Sequence, residues 1–291
     1  MKSFDIVCYH KNCPDGIGGL WVANHYQEIP IHYPLPAGEN PEIDQLEEKR
    51  ILFVDVCPQV HFILSTIYIV KKITILDHHK TSKEMVDTIV QENIPNLEVV
   101  FDMERSGARI AWDYFFPTNP CPFFIQYIED KDLWKWKLEF SQEINFALQD
   151  HLNLKELTCF FQQEKSSFQT LLEEGKALKE KNDEKIRLIS SQAIKGSFHC
   201  DEQTYHVMIV ENADRSLTSD VGNYLCESYP EIDFAVITFQ KPEYCSVSLR
   251  GIKGKCPDLS KIAKHYGGGG HESSSGMRVT NLEKMIGDPF L

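Results

Sequence analysis

The sequence has no Cys-x-x-Cys pair, although it carries nine cysteines, and this argues against zinc-ribbon and thioredoxin-type redox patterns. An odd cysteine count also forms no closed disulfide framework, so the chain reads as one for a reducing compartment. Long apolar runs are missing. No stretch approaches the roughly 18 residues of a membrane span, and the apolar part of MKSFDIVCYHKNCPDG is too short for a signal-peptide core. The expectation is a soluble, cytoplasmic protein without a membrane partner. Positive charge is also scarce: Lys and Arg total 30 against 43 Asp and Glu, a formal charge of −13. Such a balance repels a long polyanion except at a locally basic or metal-filled site, which makes long duplex DNA an unfavourable partner.

What is present suffices for more than one core. At 291 residues and 42% hydrophobic content, the chain exceeds the usual single-domain size, and two domains are expected. Short β-branched runs recur early, at Phe4 to Tyr9, Ile51 to Val56, Ile73 to Leu76 and Glu98 to Phe101. Amphipathic or polar stretches separate them. This alternation predicts β-α units in an α/β fold, with a doubly wound, mainly parallel sheet whose strands are buried on both faces.

Each run ends in, or leads into, potential metal ligands: His10 and Asp15, then Asp55, then Asp77-His78-His79, then Asp102. In an open α/β sheet, ligands collect at the carboxyl ends of the strands, so these groups are expected to converge. Carboxylates and imidazoles gathered in one cleft repel or lose hydration unless a cation neutralises the acids and uses the imidazole lone pairs. Asp and His ligation without thiolate suits Mn²⁺ or Mg²⁺. Helix capping is the ordinary job of an Asp after a strand, but four strand ends beside a His pair favour the metal. Cys8, Cys13 and Cys57 flank these residues and read as core filling.

HKNCPDGIGG, FVDVCP, LDHH and YIEDKDLW, in that order, resemble the four metal-binding motifs of the DHH phosphoesterases, which include nanoRNases, pAp phosphatases, single-strand exonucleases and cyclic-dinucleotide hydrolases. The resemblance covers roughly the first 135 residues. It implies that His10 and Asp15 hold one metal, that Asp55 bridges two, and that His78 with Asp130, or less favourably Asp132, holds the other. Asp77 would orient a histidine, and His79 would face the substrate. The family's first motif commonly has a second Asp where this sequence has Ile17, and the interval from His10 to Asp15 is one residue longer than usual. One of the two metal sites is therefore expected to be a ligand short, to be completed by water, Asp132 or Asp102, or to fill only with substrate.

Between residues 166 and 195, Leu171, Leu178, Ile186, Ile189 and Ala193 are spaced for one side of a helix, predicting a helical connector. It separates a catalytic domain over 1–165 from a smaller α/β domain over 196–291. Trp112, Tyr114, Phe115 and Phe116 read as core rather than as a base-stacking platform. In the second half, VMIV, FAVITF and SVSLR are strand-like. KIAKHYGGGGHESSSGMRV sets Gly267 to Gly270 before His271, where bare backbone N–H groups can approach a phosphate.

SVSLRG followed by DLSKIAKHYGGGGH resembles the DHHA1 domain. The resemblance implies that Arg250, Gly268, Gly269, Gly270 and His271 bind the phosphate or sugar of a nucleotide. Together these readings predict hydrolysis of a short oligonucleotide, dinucleotide or related nucleotide phosphate by metal-activated water. Asp55, His79 and Asp77 would serve catalysis, with two Mn²⁺ or Mg²⁺ ions, one weakly held. Two alternatives stay open: a pyrophosphatase or polyphosphatase, whose second domain lacks the GGGGH signature, and a nucleotide-binding sensor with a weakened metal site. A homodimer is also open.

Overall fold

The alternation of apolar runs and amphipathic stretches resolves into two units, Met1–Lys179 and Glu180–Leu291. The computed structural model describes residues 2–36, 38–42, 44, 46–212, 214–280 and 285–287. The first unit runs β1 (Ile6–His10), α1 (Pro14–Tyr26), β2 (Ile31–Leu35), β3 (Arg50–Val54), α2 (Val60–Thr66), β4 (Lys72–Asp77), α3 (Lys80–Gln91), β5 (Leu97–Phe101) and α4 (Gly107–Phe115). Helices α5 (Phe123–Asp132), α6 (Ser141–Asp150), α7 (Leu154–Gln162) and α8 (Glu164–Ser190) follow.

The five strands are all parallel, in the order β2-β1-β3-β4-β5. Successive residues of a strand point to opposite faces, and two separate cores result. Val7, Leu52, Val54 and Leu76 pack with Trp21, Trp112, Phe124 and Ile128. Their neighbours Ile6, Cys8, Ile51, Phe53 and Ile75 pack with Phe62, Ile63, Val86 and Ile89. Both faces of the sheet are thus covered, as a doubly wound sheet requires. The strand order reverses between β1 and β3, so the crevice at that switch point opens at the ends of β1 and β3. Trp112 and Phe115 lie in the core, as their setting in the sequence predicts.

The connector expected over 166–195 lies in α8 as far as Ser190, beyond which Ile194 already opens a strand, and Leu171 and Leu172 of α8 are buried in the first unit's core. The division between units falls inside this helix, at Lys179. The second unit contains β6 (Ile194–Cys200), β7 (Gln203–Glu211), a 3₁₀ turn (Arg215–Leu217), α9 (Thr218–Ser228), β8 (Phe234–Gln240) and β9 (Cys245–Arg250). It ends in α10 (Leu259–His265), β10 (Gly269–His271), β11 (Ser274–Val279) and β12 (Ile286–Gly287). Its sheet has the order β10-β11-β9-β8-β7-β6-β12, in which only β7 and β8 pair in parallel. Phe198, Val207, Phe234, Val236, Leu249, Leu259 and Ile262 form its core. Among the described residues, no helix is long and apolar enough to cross a membrane.

Candidate functional site

His10 ends β1, Asp55 follows β3, and Asp77 ends β4 with His78 and His79 after it. Three adjacent strands therefore deliver these groups to one place. Asp55 sits at φ +58°, a left-handed conformation that costs a non-glycine residue of order 1–3 kcal/mol and gathers at functional sites. Its backbone N–H still donates to the Leu76 carbonyl at 2.9 Å, so the strained residue is tied to β4. Its carboxylate is buried, with Oδ1 3.1 Å from His78 Nε2 and Oδ2 3.3 Å from His10 Nδ1. His78 Nε2 also lies 3.7 Å from Asp15 Oδ2 and 3.6 Å from Asp132 Oδ2. One buried imidazole thus faces three carboxylates.

Asp15, near the start of α1, does more than face His78. Its oxygens accept hydrogen bonds from Gly107 N at 2.5 Å and Ala108 N at 2.9 Å, buried amides of the first turn of α4 that have no acceptor within the helix. Ser106 caps the same turn by accepting from Arg109 N at 3.2 Å. A Cβ on Gly107 would stand 2.6 Å from Asp55 Cβ and 3.0 Å from Asp15 Oδ2, so only glycine lets α4 begin this close to the acids. Sequence reasoning missed Ser106 and Gly107. The available signal was a capping serine and a glycine opening a helix just beyond a strand end, where amides collect negative charge.

The electrostatics of the cluster are unresolved by protein groups alone. Burial opposes charge on Asp55, but the imidazoles of His10 and His78 beside it outweigh burial and hold this carboxyl well below its usual value. Asp15 is pushed the other way, well above its usual value, by burial and then by Asp55 and Asp132. Asp132 is also raised, by burial in the first place. His10 Nδ1, Asp55 Oδ2 and Asp132 Oδ2 are buried with no hydrogen-bond partner, a costly state for polar groups. A cation beside such atoms would take up their lone pairs. Ligand atoms of Asp15, Asp55 and His78 lie within 4.8 Å of one another, as do those of His10, Cys13 and Asp55. The donor set therefore fits a divalent ion. Cys13, read as core filling, stands beside the cluster instead. Burial, then Asp55 and Asp132, push its thiol well up. Cys8 and Cys57 do fill the core.

Several expected ligands go elsewhere. Asp130 accepts from Lys137 N at 2.9 Å and Leu138 N at 3.2 Å, so it organises the loop after α5. This corrects its preference over Asp132. Residues two apart on a helix project about 200° apart, and it is Asp132 that faces His78. Asp102 is occupied by Glu104 N at 2.9 Å and Arg105 Nε at 2.7 Å. Ile17 packs against the first unit's core, which removes position 17 from the ligand set for a physical reason. Asp77 Oδ1 lies 2.7 Å from His79 Nδ1, so the histidine it orients is His79.

In the second unit, Ser274 pairs with His271 across β10 and with Arg250 across β9. Directly opposed residues share a face, so Arg250, Ser274 and His271 form a row over three strands. Sequence reasoning missed Ser274, because only the register reveals it. Arg250 Nε donates to Ser219 Oγ at 3.2 Å and Nη1 to the Leu249 carbonyl at 2.9 Å. Burial lowers its pKa to about 10, against the pull of Asp220. The glycine run departs from expectation. Gly267, at φ +75°, and Gly268 close α10 by donating to Lys264 O and Ala263 O at 3.0 and 2.8 Å, a Schellman cap. The Gly268 amide is therefore not a phosphate donor. Its lack of a side chain serves packing, since a Cβ would meet the Gly276 carbonyl at 2.1 Å. Gly269, Gly270 and His271 form the edge strand β10.

No protein-family model matches the chain. It is 28% identical over 323 residues to an uncharacterized protein of Acanthamoeba polyphaga mimivirus, covering 98% of this chain and 69% of that one. It is 26% identical over 312 residues to the oligoribonuclease NrnB of Bacillus subtilis, covering 97% and 75%. The crystal structure of RecJ from Thermus thermophilus in complex with Mn²⁺ matches its fold with a TM-score of 0.52 at 14% identity, over 94% of this chain and 49% of that one. The ordered motifs, the acid and histidine cluster at the switch point and the likeness to an oligoribonuclease agree with the resemblance to the DHH/DHHA1 phosphoesterases, and the RecJ structure matches the fold.

Proposed function

We propose that this chain is a metal-dependent phosphodiesterase acting on short oligonucleotides or dinucleotides. The observation that carries the reading is the set of buried atoms of His10, Asp55 and Asp132 left without hydrogen bonds. They converge with Asp15 and His78 where β1, β3 and β4 end. The likeness to an oligoribonuclease supports the substrate class.

His10, Asp15, Asp55, His78 and Asp132 would hold Mn²⁺ or Mg²⁺, which supplies Lewis-acid stabilisation of the phosphoryl oxygens and acidifies water for attack. Asp77 holds the His79 ring through Nδ1, so a protonated His79 delivers its other proton, from Nε2, to the leaving oxygen. General-acid assistance of this kind is typically worth about 10²–10⁴ in rate. Arg250 and His271 hold a non-reacting phosphate or sugar; the planar guanidinium suits an anion, and such remote binding positions the scissile group. A cysteine nucleophile is disfavoured, because the raised thiol of Cys13 carries little thiolate.

A panel of dinucleotide, short RNA, short DNA, pAp and pyrophosphate, incubated with Mn²⁺ and resolved by chromatography, tests the reading. Mononucleotide should form from the dinucleotide, cease with EDTA and return with Mn²⁺. Full turnover by metal-stripped protein would sink the mechanism. The packing of Ile17, where the first motif of the DHH phosphoesterases commonly has an acid, favours one second reading, a nucleotide sensor. Tight dinucleotide binding without Mn²⁺-dependent product would select it.

A further inference from the structure

The four tryptophans of the chain fall into two unlike pairs. Trp21 and Trp112 are 1% and 2% exposed and stack in the core with centroids 6.3 Å apart. Both indole N–H groups are satisfied, by Thr158 Oγ1 at 3.0 Å and the Asn119 carbonyl at 3.2 Å. Trp134 and Trp136 meet edge to face at 4.8 Å, are only half-buried, and belong to none of the three apolar cores. Among the described residues, neither indole N–H has an acceptor. A tryptophan kept for packing looks like the first pair, not the second.

The backbone singles out the same two residues. Trp134 and Trp136 sit at φ +53° and +49°, a costly conformation for bulky side chains that survives only where the surroundings impose it. Asp130 does so. Its carbonyl accepts from Lys135 N at 2.8 Å and Trp136 N at 3.5 Å, and its carboxylate accepts from the next two amides, Lys137 and Leu138. Trp134 N is tied to the Lys131 carbonyl at 2.9 Å, and Lys135 Nζ reaches the Glu104 carbonyl at 3.2 Å. The loop is thus clamped along its length while both rings stay outside the core.

Its position and charge indicate what the rings meet. The loop leaves α5 two residues beyond Asp132, the acid that faces His78. Exposed Lys137, and Lys135 with its Nζ 3.8 Å from Glu129, alternate with the tryptophans in a chain of charge −13. Aromatic rings interleaved with basic groups form a surface suited to a single-stranded nucleic acid, in which the cations track phosphate and the rings stack bases.

We infer that Trp134 and Trp136 form a platform that stacks a nucleobase of the substrate beside the acid and histidine cluster. This rests on the functional reading above and deepens it. Recognition by stacking tolerates any base, because every base has a π-face. The enzyme should accept all four nucleotides, with purines ahead through their larger area.

The test combines kinetics with intrinsic fluorescence. In EDTA, where turnover is blocked, a dinucleotide should quench the fluorescence of the parent protein, and the Trp134→Leu/Trp136→Leu variant should lose that quenching. With Mn²⁺, the variant should show KM raised by about 5- to 150-fold, the range for loss of one stacked base. An analogue lacking its bases should show no comparable change, and Trp134→Phe/Trp136→Phe should recover most of the loss. A folded leucine variant with the parental KM overturns the platform alone. Failure of the parent to bind or hydrolyse the dinucleotide overturns the functional reading and the platform with it. Should the leucine pair not fold, the single Phe variants decide: partial loss of quenching in each supports the platform, and unchanged quenching in both overturns it.

Discussion

The acid and histidine cluster of the first unit and the Arg250–Ser274–His271 row of the second are built on opposite principles. In the cluster, Asp55 is strained at φ +58°, its Oδ2 makes no hydrogen bond, and carboxyls a few ångströms apart are driven in opposite directions. In the row, regular antiparallel register sets the residues side by side. Neighbouring oxygens engage Arg250 Nε and Nη1, and glycines close a helix and permit close strand contact. The first region leaves buried polar atoms without hydrogen bonds; in the second the guanidinium is already engaged. Chemistry concentrates where protein groups fail to satisfy one another, and recognition where they are already in place.

Asp55→Asn should break the comparison hardest. The amide keeps the shape and removes the charge that balances His10 and His78 and that, on the proposed function, would hold the ion. Lewis-acid stabilisation is worth several kcal/mol, so kcat should fall by roughly 10³-fold or more. Retention of more than about a tenth of the activity in a steady-state assay would assign Asp55 a structural role. Arg250→Ala should do less and differ in kind. Calorimetric Mn²⁺ binding should be unchanged, and kcat/KM for a dinucleotide should fall by about 2–3 kcal/mol, the worth of one charge-assisted contact. Parental kinetics in that variant would remove the second unit from recognition and strengthen the pyrophosphatase alternative.

How far the two regions could be read from sequence follows the same division. Strands β1, β3 and β4 were legible because burial on both faces makes them short continuous apolar runs, and the half-buried edge strand β5 because LEVVF is still mostly apolar and β-branched. Strand β2 was not: IHYPL has four of its five residues unburied, and its Pro34 is tolerated because β2 is an edge strand. His10, Asp15, Asp55 and His78 were legible as strand-end residues, since topology alone brings such ends together. Asp130 and Asp132 share one helical turn, and only the direction of the chain after α5 decides which faces the cluster. Gly107 matters through contact with a residue 52 positions earlier, Asp55, and Ser274 through register. Both are products of tertiary approach, which leaves no local pattern.

Ile17→Asp sharpens the comparison by asking whether the first unit can accept another ligand. Ile17 packs against the apolar core, so an aspartate there places a carboxylate among hydrocarbon. Thermal denaturation should reveal a loss of about 1–3 kcal/mol, and the Mn²⁺ titration should stay where it was. A lower Mn²⁺ requirement without loss of stability would instead place position 17 within reach of the ion and restore the expected ligand set.

The smallest effect concerns a histidine with two acids that differs from the cluster in one respect: its nitrogens are taken. His151 Nδ1 lies 3.0 Å from Glu156 and Nε2 2.8 Å from Glu174. Partial burial works against protonation, but these two acids outweigh it and raise the pKa above 6.5. A raised folded-state pKa means that the native protein binds the proton more tightly than the unfolded chain. The resulting stability is fully present below pH 6.5 and is lost as pH rises through the folded value. Both glutamates are more than a third exposed, so solvent screening limits the contribution to a few tenths of a kcal/mol, or about 1 °C in Tm for a chain of this size. In EDTA, the parent should therefore melt above His151→Gln by a wider margin at pH 5.5 than at pH 8.5, while Mn²⁺ affinity is the same in both. The cluster's own titration is common to parent and variant and cancels in the difference. A margin that does not change with pH would show that the raised proton affinity is absent in solution, and a change in Mn²⁺ affinity would show that satisfied histidines in this unit also reach the metal.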